Sequence, residues 1–325
     1  MCTLHLTGAW SAALASLHAW SKRSAGTTRR PGSEFSSGSA NGKSHLILVA
    51  FPLQTRPNRV GQQRLRVIAC MKQVVDLQQI RIKRDTREPV LEGLPVLFGD
   101  MDKNALEEAV RIGEKHGAKV TVLSVGSAKL KDTVLEALAM GADEACIVVD
   151  PACEGSDAAG SALTLAKAIE KTGSYDLILV GEGSADNYSG QIGSRVAEIL
   201  GIPQITYVRQ LTIEGDTVTA VRDIEGTLEV VKAQMPLVVS VTSEINKPRR
   251  APLAQILRAS RKPLNVWMLR DLGIEPSKVG SAASTISVLA NVAPEQERKG
   301  VIMEGDTDET VGKLVDALRK EGVLQ

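Results

Sequence analysis

Residues 181–200 read GEGSADNYSGQIGSRVAEIL. Glycines at 181, 183, 190 and 193 let a backbone come close to a ligand, and the side chains of Asp186, Ser189 and Gln191 can hydrogen-bond a ribose or a phosphate. A hydrophobic stretch, DLILV, leads in, and a helical one, QIGSRVAEIL, leads out. Free N–H groups and a positive dipole at a helix start favour phosphate. No G-K-[ST] follows the loop, and its glycines do not fall as G-x-G-x-x-G. The loop itself carries no lysine to polarise a β- or γ-phosphate, so the chemistry it suggests is binding rather than phosphoryl transfer. On spacing alone, a tight turn followed by a helix cap accounts for it equally well.

Elsewhere the reactive side chains are sparse. Cys2, Cys70, Cys146 and Cys153 form no C-x-x-C pair, which gives neither a disulfide framework nor a zinc site. Three of the four histidines, His5, His18 and His45, precede residue 65, and His116 sits where a helix should end. No histidine-based triad is visible, and no residue is required to act as acid, base or nucleophile. Aromatic residues make up 3% of the chain and the formal net charge is +1, a poor match for a nucleic-acid binder.

The elements that would hold the loop follow a repeating pattern. RVIACMK, KVTVLSVG, EACIVVD and DLILVG read as buried strands. Residues 102–117, 128–142 and 156–173 read as the helices between them, with Asp102 and Ser156 as expected N-caps. Strands alternating with helices predict a parallel α/β sheet covered on both faces. Ligands then bind beyond the strands' carboxyl ends, where the strand order reverses. Residues 205–242 have β-rich runs separated by EGD and IEG, which predicts an antiparallel hairpin extension. After 243 the chain turns basic and proline-rich, and residues 308–324 read as an amphipathic helix ending an extended arm.

Residues 1–65 are a different kind of sequence, with eight basic residues and one acid, so that 31 basic and 37 acidic residues remain for the rest. Residues 1–64 are expected to be translated upstream of the true start. The alternatives are a transit peptide or a disordered tail. Neither SAALASLHAW nor SHLILVAFPL is long enough to span a bilayer, so no membrane insertion is expected. The expected division is a leader over 1–64, a nucleotide-binding domain over 65–243 and a docking arm over 244–325.

At LRVIACMKQVVD, DMDKNALEEAV, ALAMGADEA and GEGSADNYSGQIG followed by INKPRRAPLAQILRASRKPL, the chain resembles the β subunits of electron transfer flavoproteins. The resemblance covers roughly residues 65–325. It implies an adenine nucleotide α-hydrolase-like fold and an α-subunit partner that carries the redox FAD. It also implies acyl-CoA dehydrogenase-like donors, a quinone oxidoreductase-type acceptor and a cytoplasmic location, or the mitochondrial matrix if the leader is a transit peptide. Carried over by position, the nucleotide contacts would be Cys70, Gly99, Asp100, Met101, Asp102, Val125, Gly181, Gly183, Ser184, Asp186, Ser189, Gly190, Gln191 and Ile192. Arg249, Arg250 and Leu253 would dock a partner, with Leu253 as its apolar anchor. Nucleotide-binding members with AMP carry Asn-Gln-Thr where this chain has Gly190-Gln191-Ile192, whereas bifurcating members have a small-Gln-aliphatic pattern and a second FAD. The resemblance therefore leans toward FAD over AMP in the β site. The usual Asn-Pro before the first helix is replaced by Gly99-Asp100.

Two other functions fit the residues less well. A stand-alone adenine-nucleotide sensor would need no arm and could end near residue 242. An enzyme acting on adenylates would need metal carboxylates in the cleft, for which only Asp102 and Asp186 are near.

Overall fold

Nine strands of the body line up in one sheet whose apolar residues face the core from both sides in its parallel part and from one side in its antiparallel part. The computed structural model describes residues 45–48, 64–295 and 300–324. These fall in one unit, Lys43–Gln325, and the other unit, Met1–Gly42, lies outside the described residues, as do most of the expectations for the leader. Of the leader, His45–Leu48 forms a strand, β1, whose backbone runs parallel to residues 229–232 at the sheet edge.

The central strand is β2 (Arg66–Cys70). A short ribbon, β3 (Gln73–Val75) and β6 (Val96–Phe98), with the small hairpin β4 (Arg81–Ile82) and β5 (Pro89–Val90) between, leads to helix α1 (Asp100–His116). Then come β7 (Lys119–Gly126), α2 (Leu130–Met140), β8 (Glu144–Val149), α3 (Ala158–Thr172), β9 (Leu177–Gly181) and α4 (Ile192–Leu200). β2 pairs in parallel with β7 on one side and with β9 on the other. The chain runs outward from β2 through β7 to β8, then returns over α3 to start again at β9. The strand order therefore reverses between β2 and β9, and the loop after β9 opens at that point.

Period-two alternation sorts the core. Val67 and Ala69 of β2 join Leu106 and Val110 of α1 and Leu138 of α2 on one face, while Ile68 and Cys70 join Ile169 of α3 and Val196 of α4 on the other. Gly117 ends α1 in a left-handed conformation beside His116, as the sequence implies.

β10 (Gln204–Glu214), β11 (Thr217–Ile224) and β12 (Thr227–Gln234) form the expected antiparallel meander, turning at Gly215-Asp216 and at Glu225-Gly226. β13 (Leu237–Val241) departs from that expectation. It lies parallel between β9 and β10 and is wholly buried, because its continuous apolar run LVVSV is covered on both faces.

Beyond residue 243 the chain also returns to the sheet. After α5 (Leu253–Ala259), β14 (Leu264–Trp267) pairs in parallel with β8. Lys262 fixes that return by donating to the carbonyls of Leu138 and Ala142 at the end of α2, at 2.8 and 2.6 Å. α6 (Thr307–Lys320) is the expected amphipathic helix, and none of its residues is buried. Two expected caps are corrected. Asp157, not Ser156, caps α3, since its carboxylate reaches the N–H groups of Ala159 and Gly160. α1 starts at Asp100, so Asp102 lies inside its first turn.

Candidate functional site

The crevice at the carboxyl ends of β2 and β9 is built around Asp102. Its side chain accepts the Lys72 N–H at 2.7 Å and the Gly181 N–H, and it is 8% exposed. One carboxylate thus ties the exit of β2 to the exit of β9. The N-cap role expected of it is overridden by these two distant donors. Burial pushes the Asp102 carboxyl up from an ordinary 3.8 to about 7, against the opposing pull of both backbone donors and of the Lys72 ammonium. A carboxyl raised in the fold contributes stability that is complete below its unfolded pKa and is lost as the pH climbs through its folded pKa. Wild type is therefore expected to lose stability relative to Asp102→Asn between about pH 4 and about pH 7. Urea unfolding of both proteins across that range checks it. Parallel pH profiles would refute it.

Lys72 lies two residues beyond β2, and its ammonium is the feature of the crevice that the sequence did not reveal. It meets Asp186 at 2.6 Å and Ser184 Oγ at 3.4 Å, bridging from the first strand to the loop. Although burial alone would raise Asp186, the Lys72 and Ser184 hydrogen bonds hold its carboxyl below the usual range. Ser184 in turn donates to Asn187 Oδ1 at 2.8 Å. The loop expected to lack a lysine is thus served by one from 114 residues away.

Backbone crowding explains the glycines. A Cβ at Gly181 would fall 2.5 Å from Asp102 Oδ1 and 3.0 Å from the backbone of Met101 and Asp102. A Cβ at Gly193 would fall 2.9 Å from Val180. Gly190 is different: its φ is +64° and only Glu182 O lies within 4 Å, at 3.9 Å. It gives the chain a left-handed turn with open space beside it. α4 then begins with no side chain capping it, because the carbonyl oxygen of the Gln191 amide is occupied by Arg195 Nε at 2.9 Å. Ile192 is the first helical residue and carries no hydroxyl. The result is an open helix start behind a small-residue turn, in a loop that also holds a cation through Asp186, an arrangement suited to an anionic ligand.

The other expected contacts sit at the same end of the sheet. Gly99 is buried and donates to the Lys72 carbonyl at 3.3 Å, followed by exposed Asp100 and half-buried Met101. Val125 stands at the carboxyl end of β7. Ser189 is half-buried beside Gly190. Cys70 ends β2, but its side chain packs toward α3 and α4, and burial, with the Asp102 charge adding, pushes its thiol up to about 12. It is an inert part of the wall.

Arg249, Arg250 and Leu253 lie away from the crevice. Arg250 and Leu253 are exposed, and Leu253 shares the open face of α5 with Ile256 and Leu257. Arg249 is an internal clasp, since its guanidinium holds Glu107 at 2.8 Å and Glu114 at 2.5 Å on α1. Among the described residues no group of histidine, cysteine, aspartate and glutamate side chains is placed to hold a metal, and no helix is long and apolar enough to cross a membrane.

This is an open α/β protein with a topological switch point between β2 and β9, where such folds bind their ligands. Residues 96–272 match the family model described as the electron transfer flavoprotein domain. The chain is 38% identical to the electron transfer flavoprotein subunit beta of Thermoanaerobacterium thermosaccharolyticum over 80% of its own length and 100% of that protein's. It is 33% identical to the caffeyl-CoA reductase-Etf complex subunit CarD of Acetobacterium woodii, over 80% and 100% of the two chains. It is 31% identical to protein FixA of Azorhizobium caulinodans, over 74% and 88%. The chain belongs to the electron transfer flavoprotein family.

Proposed function

We propose that the chain is the β subunit of a heterodimeric electron transfer flavoprotein and that its crevice holds an adenine nucleotide, FAD in preference to AMP. One observation carries the reading: at the switch point Lys72, from the exit of β2, reaches into the loop after β9 to pair with Asp186, and the helix that follows that loop starts uncapped. In this reading Lys72 and the α4 N–H groups take the phosphates, and Asp186 is released toward a ribose hydroxyl. Gly99–Asp102 and Val125 line the adenosine side. The open space at Gly190 and the missing hydroxyl at Ile192 favour a diphosphate that continues past the loop over a monophosphate that ends there. The flavin supplies the redox chemistry when bound, and this chain binds and orients it.

The arm suits the same reading. α6 has no buried residue in this chain, which fits a helix that docks on an α subunit. The exposed Leu253, Ile256 and Leu257 of α5 form an apolar anchor with Arg250 and Arg258 around it, suited to an acyl-CoA dehydrogenase-like donor. A quinone oxidoreductase-type acceptor completes the proposed path.

The test is to co-express the chain with its α subunit and identify the released nucleotides by chromatography and mass. Two FAD per heterodimer are expected. One FAD with one AMP would overturn the FAD preference, and no complex with no flavin would return the stand-alone sensor to first place. Lys72→Met is expected to weaken retention of the crevice nucleotide about tenfold, the scale of one charged hydrogen bond. The Lys72–Asp186 pair is 44% and 37% exposed, so the unfolding midpoint should barely move. Unchanged nucleotide retention in that variant would remove Lys72 from the site.

A further inference from the structure

Aromatic side chains are rare in this protein: three tyrosines, three tryptophans and three phenylalanines in 325 residues. Two of the tyrosines, Tyr188 and Tyr207, flank the end of β13: Tyr188 bonds Glu182, whose N–H donates to the Val241 carbonyl at 2.9 Å, and the Tyr207 N–H donates to Ser240 Oγ at 3.3 Å. Both have left-handed backbone, at φ +42° and +57°. Among the described residues only Arg87 and Glu225 share that property without being glycine, and both lie in hairpin loops, where the turn imposes it. Tyr188 is held by the nucleotide loop, and Tyr207 by a break in register where β10 passes the end of β13. A bulky residue in this region of φ is strained, and such strain persists where the surroundings over-determine it.

The surroundings of Tyr188 are specific. Its ring is seated against Gly183, where an added Cβ would lie 2.8 Å from Cδ2 and 2.9 Å from Cε2. Its hydroxyl donates to Glu182 and its N–H to the Ser184 carbonyl at 2.9 Å. Backed by Gly183 and tethered at its tip, the ring still leaves half of its surface open, at 50% exposure. Tyr207 is 40% exposed. The hydrogen bond to Glu182, with burial adding, pushes the Tyr188 phenol up to about 12, so it stays neutral at any working pH.

Position along the sheet says what such a surface meets. At the level where β2, β9 and β13 end, the strands run β7, β2, β9, β13, β10, four strand intervals, or about 19 Å. Val125 stands on the first strand, Lys72 follows the second, the loop with Tyr188 follows the third and Tyr207 lies on the last. A mononucleotide running from Val125 to a phosphate at Lys72 spans the first of these intervals. A dinucleotide continues in the same direction, toward Tyr188 and then Tyr207.

Resting on the reading of the crevice as an FAD site, we propose that Tyr188, with Tyr207 beside it, is the aromatic platform on which the isoalloxazine ring of that FAD lies. Offset stacking on a ring already fixed in place gains affinity without ordering a new side chain. The platform also sets specificity, since AMP has no group that extends this far.

Tyr188→Asn and Tyr188→Phe test it in the complex with the α subunit. Asparagine tolerates the left-handed backbone, so it removes the ring and spares the turn. Wild type is expected to carry a second FAD with strongly quenched emission. Tyr188→Asn should hold that FAD about tenfold more weakly, within the range of a lost stacking contact, and the emission per bound flavin should rise. Tyr188→Phe should behave as wild type within about twofold. Tyr207→Leu, outside the loop, should weaken retention about threefold and gives a second reading should Tyr188→Asn fail to assemble. Unchanged FAD retention and emission in both ring-removing variants overturns the platform while leaving the FAD site standing. Equal losses in Tyr188→Phe and Tyr188→Asn overturn it too, because the hydroxyl bond to Glu182 would then be the cause. A wild-type complex with AMP or nothing in place of the second FAD overturns the FAD reading itself and the platform with it.

Discussion

Gly181→Val is expected to abolish nucleotide retention and to destabilise the fold by about 3 kcal/mol, the upper range for forcing atoms into a closed core. The reason is local. Gly181 ends β9, and a Cβ there meets Asp102 Oδ1 at 2.5 Å and the backbone of Met101 and Asp102 at 3.0 Å. None of these atoms is the free tip of a flexible side chain. Met101 and Asp102 lie in the first turn of α1, and Asp102 is pinned by the N–H groups of Lys72 and Gly181. Relief requires α1 to move from the end of β9, which breaks the Asp102 link between the two central strands. Even Gly181→Ala should lose most of the bound nucleotide. Gly190→Asn is the contrast. It keeps the left-handed turn and has only Glu182 O near it, so the fold should hold. Chemical unfolding and nucleotide content of the three variants check this. A stable Gly181→Val that retains its nucleotide would show that α1 is free to slide and that Asp102 does not set the crevice.

The parts of this architecture that were legible in the sequence are those written in neighbouring residues. Continuous apolar runs such as DLILV announce strands covered on both faces, and helices between them force parallel pairing. EGD and IEG announce two-residue turns. The glycines of 181–193 mark a backbone that comes close to something. What the sequence hid depends on contacts between distant positions or on φ. Lys72 looks like the polar end of a strand until Asp186, 114 residues on, is brought over it. Asp102 matches the local rule for a cap, but two N–H groups from the exits of β2 and β9 compete for it and win. Tyr188 gives no sign in its type that its backbone is left-handed. β14 was obscured by the prolines around it, because an edge strand needs only four residues and one neighbour. Arg249 sits in a basic run that reads as exposed charge, and its partner Glu107 is 142 residues away.

That last pairing carries the second large effect. Arg249→Ala is expected to cost about 3 kcal/mol and to free the start of the arm, whereas Arg250→Ala should be close to neutral. Glu107 has a side chain only 4% exposed, on the buried face of α1. Arg249 satisfies it three times, through its backbone N–H at 3.1 Å, Nε at 2.8 Å and Nη2 at 3.1 Å, and reaches on to Glu114 with Nη1 at 2.5 Å. Burial alone would raise Glu107, but Arg249 and Arg111 hold it below the usual carboxylate range. Without Arg249 the carboxylate stays buried with Arg111 as its remaining cation, at 2.9 Å. Asn104 and Asn246 clasp the same helix a turn earlier, so loss of Arg249 should loosen residues 247–259 and leave the crevice end of α1 in place. The nucleotide should therefore be retained while hydrogen exchange rises in α5. A double variant, Arg249→Met with Glu107→Met, separates pairing from packing, because it removes the buried charge together with its partner. It is expected to recover most of the lost stability. If instead the double variant is as unstable as the two single losses summed, the clasp is held by side-chain shape and not by charge.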